Sequence, residues 1–239
     1  MRIDQTMDKI ADENKTYSRK DLYQLFLVEK QDLSDSTFRW ILYHLLSTHR
    51  LYRIGYDTYS VVLPERLTEY HPFYSDKAVK IMRKIANRYP DIAFTVFESI
   101  LLNEFLNHQI AQNTIFVQVD KEVSSVIFDY LKEELHQRVL YNPTKKEFER
   151  YWEKDSVIVL DLISQPPVSL TEAHEITIEK LLVDIVAEKC IAETFSPSEL
   201  PYIFGEASER YLIDLRKMNR YAGRRNRTAI IRKYIDGSR

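Results

Sequence analysis

The chain has 239 residues, 44% of them apolar and 29% charged, with a formal net charge of −2. This composition predicts one large or two small packed domains and excludes a disordered or collagen-like chain. One cysteine, Cys190, rules out an internal disulfide framework and suits a reducing compartment. The acidic, amphipathic start does not read as a signal peptide, and no apolar run approaches the ~20 residues needed to cross a bilayer. A cytoplasmic protein is therefore expected, with no membrane partner.

Residues 1–63 carry the most informative pattern. Ile3, Met7, Ile10 and Ala11 give a first helical stretch one apolar stripe. Ser18 and Asp21 have the S-x-x-D spacing of a capping signal and open a second stretch that buries Leu22, Leu25 and Phe26 and runs to about Val28. Ser34 or Ser36 caps a third stretch over 34–46, in which Phe38, Ile41, Leu42 and Leu45 recur at helical spacing. Residues 51–54 and 58–62 are β-rich and flank Gly55, which predicts a hairpin. Three helices and a hairpin are the order of a winged helix-turn-helix domain.

The third helix leaves Ser36, Thr37, Arg39, Trp40, Tyr43 and His44 off its apolar face. Hydroxyls, an arginine, a histidine and two aromatics on one helix are candidates for reading a DNA major groove, with Arg53 on the wing beside them. Arg50 lies close to this group in sequence, and Arg19 and Lys20 open the second helix. The domain is nonetheless neutral, with nine Lys or Arg against nine Asp or Glu. Phosphate neutralisation supplies much of DNA affinity. A protein-docking adaptor built around Trp40 is therefore the alternative reading.

Prolines 64 and 72 bracket a linker expected over 64–75. Beyond it the period alternates. A basic helix over 76–89 stops at Pro90, and a strand follows over 92–97. A helix over 98–109 leads to a strand over 114–119 and a helix over 122–136. A short strand over 138–140, a helix over 144–152 and a buried strand over 156–163 come next, and Pro166 and Pro167 end the series. From Ile178 the pattern is helical. Ile178, Leu181, Leu182, Ile185 and Val186 make one apolar face. Tyr211, Leu212, Leu215, Met218 and Ala222 make another, stopped at Gly223, and Asn226 can cap a last helix with Ile230, Ile231 and Tyr234. The fold class expected is α+β: the winged helix followed by an α/β domain over 76–239 with a helical end.

That end is strongly basic. Residues 210–239 hold ten Lys or Arg against two acids, whereas residues 64–209 carry an excess of ten negative charges. Such asymmetry points to an anionic partner or to an internal clasp.

Catalytic signals are sparse. The four glycines are too far apart for a phosphate-cradling loop, and the six histidines form no metal spacing. No cofactor or bound metal is expected, and the chain does not read as an enzyme. The one acidic set at predicted strand ends is Glu98, Asp120 and Asp161, which would suit a Mg²⁺-dependent nuclease as a third reading.

Two short stretches resemble a known family. Thr177, Glu179, Lys180, Leu182 and Asp184 look like the T-x-E-(K/R)-x-L-x-D helix start of AbiEi-type antitoxins. Tyr221-Ala222-Gly223-Arg224 looks like the Y-A-x-R element before that family's last helix. The resemblance implies an antitoxin of a type IV toxin–antitoxin system, associated with bacterial abortive infection. Such a protein binds repeats in its own promoter and counters a nucleotidyltransferase-type toxin encoded beside it. It also implies a DNA-facing basic C-terminal surface, for which Arg216, Arg220, Arg224, Arg225 and Arg227 are the candidates.

Overall fold

The computed structural model describes residues 7, 16–29, 32–48, 50–55, 58–61, 67–106, 108–169 and 172–237. Apart from Met7, the first expected helix lies outside the described residues. The chain divides into two compact units, one of residues 1–68 with 212–215 and the other of residues 69–211 with 216–239. The class is α+β, as expected.

In the first unit, α1 (Arg19–Glu29) begins where the sequence places its cap. The Ser18 amide and hydroxyl both donate to Asp21 Oδ2, at 2.8 and 2.7 Å, and the Asp21 amide donates back to Ser18 Oγ at 3.1 Å. Helix α2 (Asp35–Ser47) is capped by Ser34, whose hydroxyl accepts from the Thr37 amide at 3.2 Å. Leu22 and Phe26 of α1 share one buried cluster with Phe38, Ile41, Leu42 and Leu45 of α2. Strands β1 (Tyr52–Gly55) and β2 (Thr58–Ser60) form the expected antiparallel hairpin. Tyr17, just before α1, exchanges two 2.8 Å backbone hydrogen bonds with Tyr59, which ties the hairpin to the helices. This arrangement is compatible with a winged helix.

The second unit is built on a four-stranded sheet of β3 (Phe94–Glu98), β4 (Ile115–Val119), β5 (Val139–Tyr141) and β6 (Val157–Asp161). Their order is β3-β4-β6-β5. Strand β3 runs antiparallel to β4, whereas β4, β6 and β5 are parallel. The apolar runs of β3, β4 and β6 are buried almost throughout, as strands covered on both faces should be. The crossovers use α4 (Ser124–Glu134) and α5 (Lys145–Tyr151). Thr144 and Glu147 close a reciprocal capping box on α5. Helix α3 (Asp76–Arg88) precedes the sheet. Following it are α6 (Ile178–Ala187), α7 (Lys189–Ala192), α8 (Leu200–Arg210), α9 (Leu215–Arg224) and α10 (Thr228–Gly237).

Three expectations change. The helical face expected from Tyr211 starts only at Leu215, because residues 211–214 are not helical. The helix expected over 98–109 is only a 3₁₀ turn, Ser99–Glu104. The Asn103 side chain accepts from the Ile110 amide at 2.6 Å and donates to the Ile110 carbonyl at 3.2 Å, drawing the chain back toward β4. The linker expected over 64–75 also ends early, because its last residues pack into the second unit. Tyr74 is buried, donates to the Val96 carbonyl at 2.7 Å and accepts from the Ile176 amide at 2.9 Å. No helix among the described residues is long and apolar enough to cross a membrane.

Candidate nucleic-acid interface

Helix α2 separates its faces cleanly. Phe38, Ile41, Leu42 and Leu45 are at most 2% exposed, whereas Trp40 and Tyr43 are 59% and 67% exposed. The inner face is anchored by aromatic contacts. Tyr23 meets Phe38 edge-on at 5.1 Å and its hydroxyl donates to the Leu33 carbonyl at 2.8 Å, and Phe26 lies 6.2 Å from Phe38. On the outer face the indole of Trp40 stacks on the His44 ring at 5.3 Å with planes nearly parallel. An aromatic pair pre-stacked at the surface has already lost part of its rotamer freedom, so ordering it against a partner costs less.

Ser36 and Thr37 belong to the cap. Their hydroxyls lie 3.0 and 2.9 Å from Ser34 Oγ, so they are held at the first turn. The Arg39 guanidinium pairs with Asp35 one turn earlier and remains largely exposed. Asp35 also accepts from Arg19 of α1 at 2.8 Å. These arginines hold the Asp35 carboxyl below its usual range, the hydrogen bond from Arg39 contributing most. Arg53 lies in β1, paired with Tyr59 across the hairpin. Its side chain is outside the described residues, as is the hairpin tip at 56–57.

The basic C-terminal surface divides in two. Arg216, Arg220 and Arg224 recur every four residues on the exposed face of α9, opposite buried Met218, Tyr221 and Ala222. Arg227 is half-buried and donates to the Asn226 carbonyl at 3.3 Å. Arg225 departs from the expectation of a phosphate contact. Its side chain is only 7% exposed, and it donates to Glu188 at 2.9 Å and lies 4.0 Å from Asp184. It belongs to a clasp on the acidic body.

That clasp reaches a buried polar network that joins both family-like stretches. Lys180, Asp184 and Tyr221 have no exposed surface. The Lys180 ammonium donates to Asp184 Oδ2 and to Gln118 Oε1 of β4, and sits 3.4 Å from the Tyr221 hydroxyl. Tyr221 donates to Asp184 Oδ1 at 2.9 Å, and Gln118 donates to Asp184 Oδ2 at 3.0 Å. Burial lowers the Lys180 pKa and the Asp184 charge opposes that shift, while burial raises the Tyr221 pKa. With no surface open to solvent, the network ties α6, β4 and α9 together. Lys180 and Asp184 stand at i, i+4 in the sequence, a spacing that signals an ion pair. Gln118 and Glu188 carried no local signal.

The carboxylates considered for metal catalysis do not assemble. Glu98 pairs in register with Ile115 at one end of the sheet, whereas Asp120 follows Val119, which pairs with Asp161, at the other. Four residue steps along β4 separate the ends, roughly 13 Å. Glu98 is fully buried and accepts from the Ser75 amide at 2.5 Å, the Ser75 hydroxyl at 2.8 Å and Asn113 at 2.7 Å. Asp161 accepts from Ser124 at 2.7 Å. Both have structural partners, and the antiparallel direction of β3 places Glu98 at the opposite end of the sheet from Asp120 and Asp161.

A family model matches residues 37–239. The chain belongs to the family of unknown function DUF6577. The DUF6577 match begins inside α2 at Thr37, so it takes in Arg39, Trp40 and Tyr43 as well as the whole buried network. Among curated proteins, none matches the sequence. Among solved structures, this DUF6577 chain is similar to the crystal structure of the RV2827C protein from Mycobacterium tuberculosis, at 12% identity and a TM-score of 0.28, over 98% of this chain and 79% of that one.

Proposed function

We propose that this protein is a DNA-binding transcriptional autoregulator and the antitoxin of a type IV toxin–antitoxin system, countering a nucleotidyltransferase-type toxin in the cytoplasm. The observation that carries the DNA reading is the outer face of α2. A helix anchored by four buried apolar residues presents Arg39, Trp40 and Tyr43 to solvent, next to a hairpin. Recognition helices present base-reading side chains in this way. The arginine row of α9 supports a second, sequence-independent contribution from phosphate contacts. The antitoxin part rests on the two family-like stretches, whose Lys180, Asp184 and Tyr221 meet in one network.

The deciding experiment is a fluorescence-anisotropy titration against the gene's own upstream region and a scrambled duplex, over a range of salt. If Arg216, Arg220 and Arg224 contact phosphates, log K falls with log salt at a slope of about −3 or steeper. Equal binding to both duplexes would remove the regulator reading. The antitoxin part is read by co-expression with the neighbouring toxin gene, where growth rescue is expected and continued arrest would reject it.

A second reading is favoured by the same surface. The exposed Trp40–His44 stack and Tyr43 fit a protein-docking adaptor, and Arg39 is already paired with Asp35. An adaptor leaves both duplexes unbound.

A further inference from the structure

The second unit holds a cavity that neither α2 nor the arginine row of α9 lines. Its volume is about 380 Å³, within the range of small-molecule sites. It lies where β4 begins, and its walls are the loop 109–112, Thr114, Phe148, Trp152, Glu193 and Thr194. These walls are fixed by bonds of their own. Asn103 holds the loop through both backbone groups of Ile110. The Thr114 amide donates to the Ser99 hydroxyl at 3.0 Å. The Trp152 indole N–H donates to the Thr114 hydroxyl at 2.7 Å, which sets the plane of the ring. Phe148 is buried beside it, with ring centroids 6.4 Å apart, and backs onto Phe116. A ligand entering a wall already ordered in this way has little side-chain freedom to remove.

The polar groups of the cavity are incompletely used. Glu193 Oε1 accepts from the exposed Lys145 ammonium at 2.7 Å, which holds the carboxylate in place, while Oε2 accepts no hydrogen bond among the described residues. The side-chain amides of Gln109 and Gln112 make none among them either. A primary amide offers a donor and an acceptor side by side, the pattern that pairs with a base edge. A carboxylate oxygen accepts from the exocyclic amino group of a base. A half-buried indole is a stacking platform for a planar ring. All three meet in one cavity.

We propose that this cavity binds a single nucleobase carrying an exocyclic amino group. The base stacks on Trp152, Gln109 and Gln112 bond its edge, and Glu193 Oε2 accepts from the amino group. Such a base arrives either as a free nucleotide or as an unpaired base of a strand. The site lies wholly within the second unit and is independent of the DNA-binding reading of α2.

The test uses tryptophan fluorescence of the full chain. There are two tryptophans, so Trp40→Phe leaves Trp152 as the reporter of this cavity alone. The Trp40→Phe protein is titrated with AMP, CMP, UMP, ribose 5-phosphate and a short single-stranded oligoadenylate. AMP and CMP are expected to quench Trp152 saturably, UMP to bind severalfold more weakly, and ribose 5-phosphate to leave the signal unchanged. In the same background Gln112→Ala weakens AMP and CMP severalfold, and Glu193→Gln removes most of their preference over UMP. A melting curve for each variant separates these effects from loss of fold. Oligoadenylate no tighter than AMP supports a free nucleotide as the source, and tighter oligoadenylate supports a strand. No saturable quenching by AMP, CMP or oligoadenylate would overturn the site. Ribose 5-phosphate acting as strongly as AMP would overturn the nucleobase assignment. Equal affinity for UMP, or a preference untouched by Glu193→Gln, would overturn the role of Glu193.

Discussion

Lys180 and Tyr221, forty-one positions apart, close on the same carboxylate: the Lys180 ammonium donates to Asp184 Oδ2 and the Tyr221 hydroxyl to Asp184 Oδ1 at 2.9 Å. The Lys180 ammonium also lies 5.3 Å from the Tyr221 ring centroid. Removing one partner of a buried pair strands a charge, whereas replacing both by apolar groups of similar volume is often tolerated. Lys180→Met alone is expected to destabilise the fold by about 3–5 kcal/mol. The double variant Lys180→Met/Asp184→Leu should lose less than the sum of the two single variants, because the Tyr221 and Gln118 donors still lose their acceptor. Urea denaturation read by far-UV circular dichroism checks both, and additive losses would show that the pair is not coupled.

The arginines of the C-terminal end should separate by role. Arg225 is buried against Glu188, and Arg220 and Arg224 are exposed on α9. Arg225→Ala is expected to lower stability by about 2 kcal/mol or more, because it leaves Glu188 without its partly buried partner, and to leave the salt slope of DNA binding unchanged. Arg220→Ala and Arg224→Ala should each stay within about 0.5 kcal/mol of wild-type stability. In DNA binding each should make the slope shallower by about 0.9. Thermal melts beside the salt series distinguish the two groups.

The features legible in the sequence are those with a local cause. The period of Phe38, Ile41, Leu42 and Leu45 with Ser34 before it places α2. The mainly apolar runs place β4 and β6, and Ser18 with Asp21 marks the start of α1. What was illegible depended on distant partners. Direction of pairing is one case: nothing in residues 92–98 says that β3 runs against β4, and that direction is what removes Glu98 from Asp120 and Asp161. The helix expected over 98–109 failed because Asn103 binds the backbone of Ile110. Arg224 and Arg225 are adjacent and chemically identical, yet one is exposed and the other clasps Glu188. Only the packing of α9 on α6 distinguishes them.

Cys190 should behave as a buried, inert thiol. Burial, followed by the nearby Glu188 and Glu193 charges, pushes its pKa up to about 12, and its sulfur lies 3.3 Å from the Pro143 carbonyl. An unfolded thiol titrates near ~8.5. The raised value keeps the native thiol protonated, so its contribution to stability is present below that unfolded value and is lost as pH rises toward 12. Alkylation of native protein by iodoacetamide is expected to stay slow from about pH 7 to 9, where a free thiol accelerates with its thiolate fraction. In denaturant the same thiol should react in full. Rapid labelling of the native protein at neutral pH would contradict the burial of Cys190.

The two faces of α2 predict opposite outcomes for neighbouring positions. Ile41 has no exposed surface and belongs to the cluster joining α1 and α2. Ile41→Ala removes buried methyl groups and leaves a cavity, so a loss of about 2–5 kcal/mol is expected. Trp40, the residue before it, is 59% exposed and touches its own helix through His44. Trp40→Ala should change stability by no more than about 0.5 kcal/mol. If the indole meets a base or its methyl group, discrimination between native and scrambled duplex should fall by about 1–3 kcal/mol, roughly five- to 150-fold. A docking role predicts the same neutral stability, with neither duplex bound by wild type or variant. A melting curve and a paired titration of the two variants therefore test both the orientation of α2 and the use to which its outer face is put.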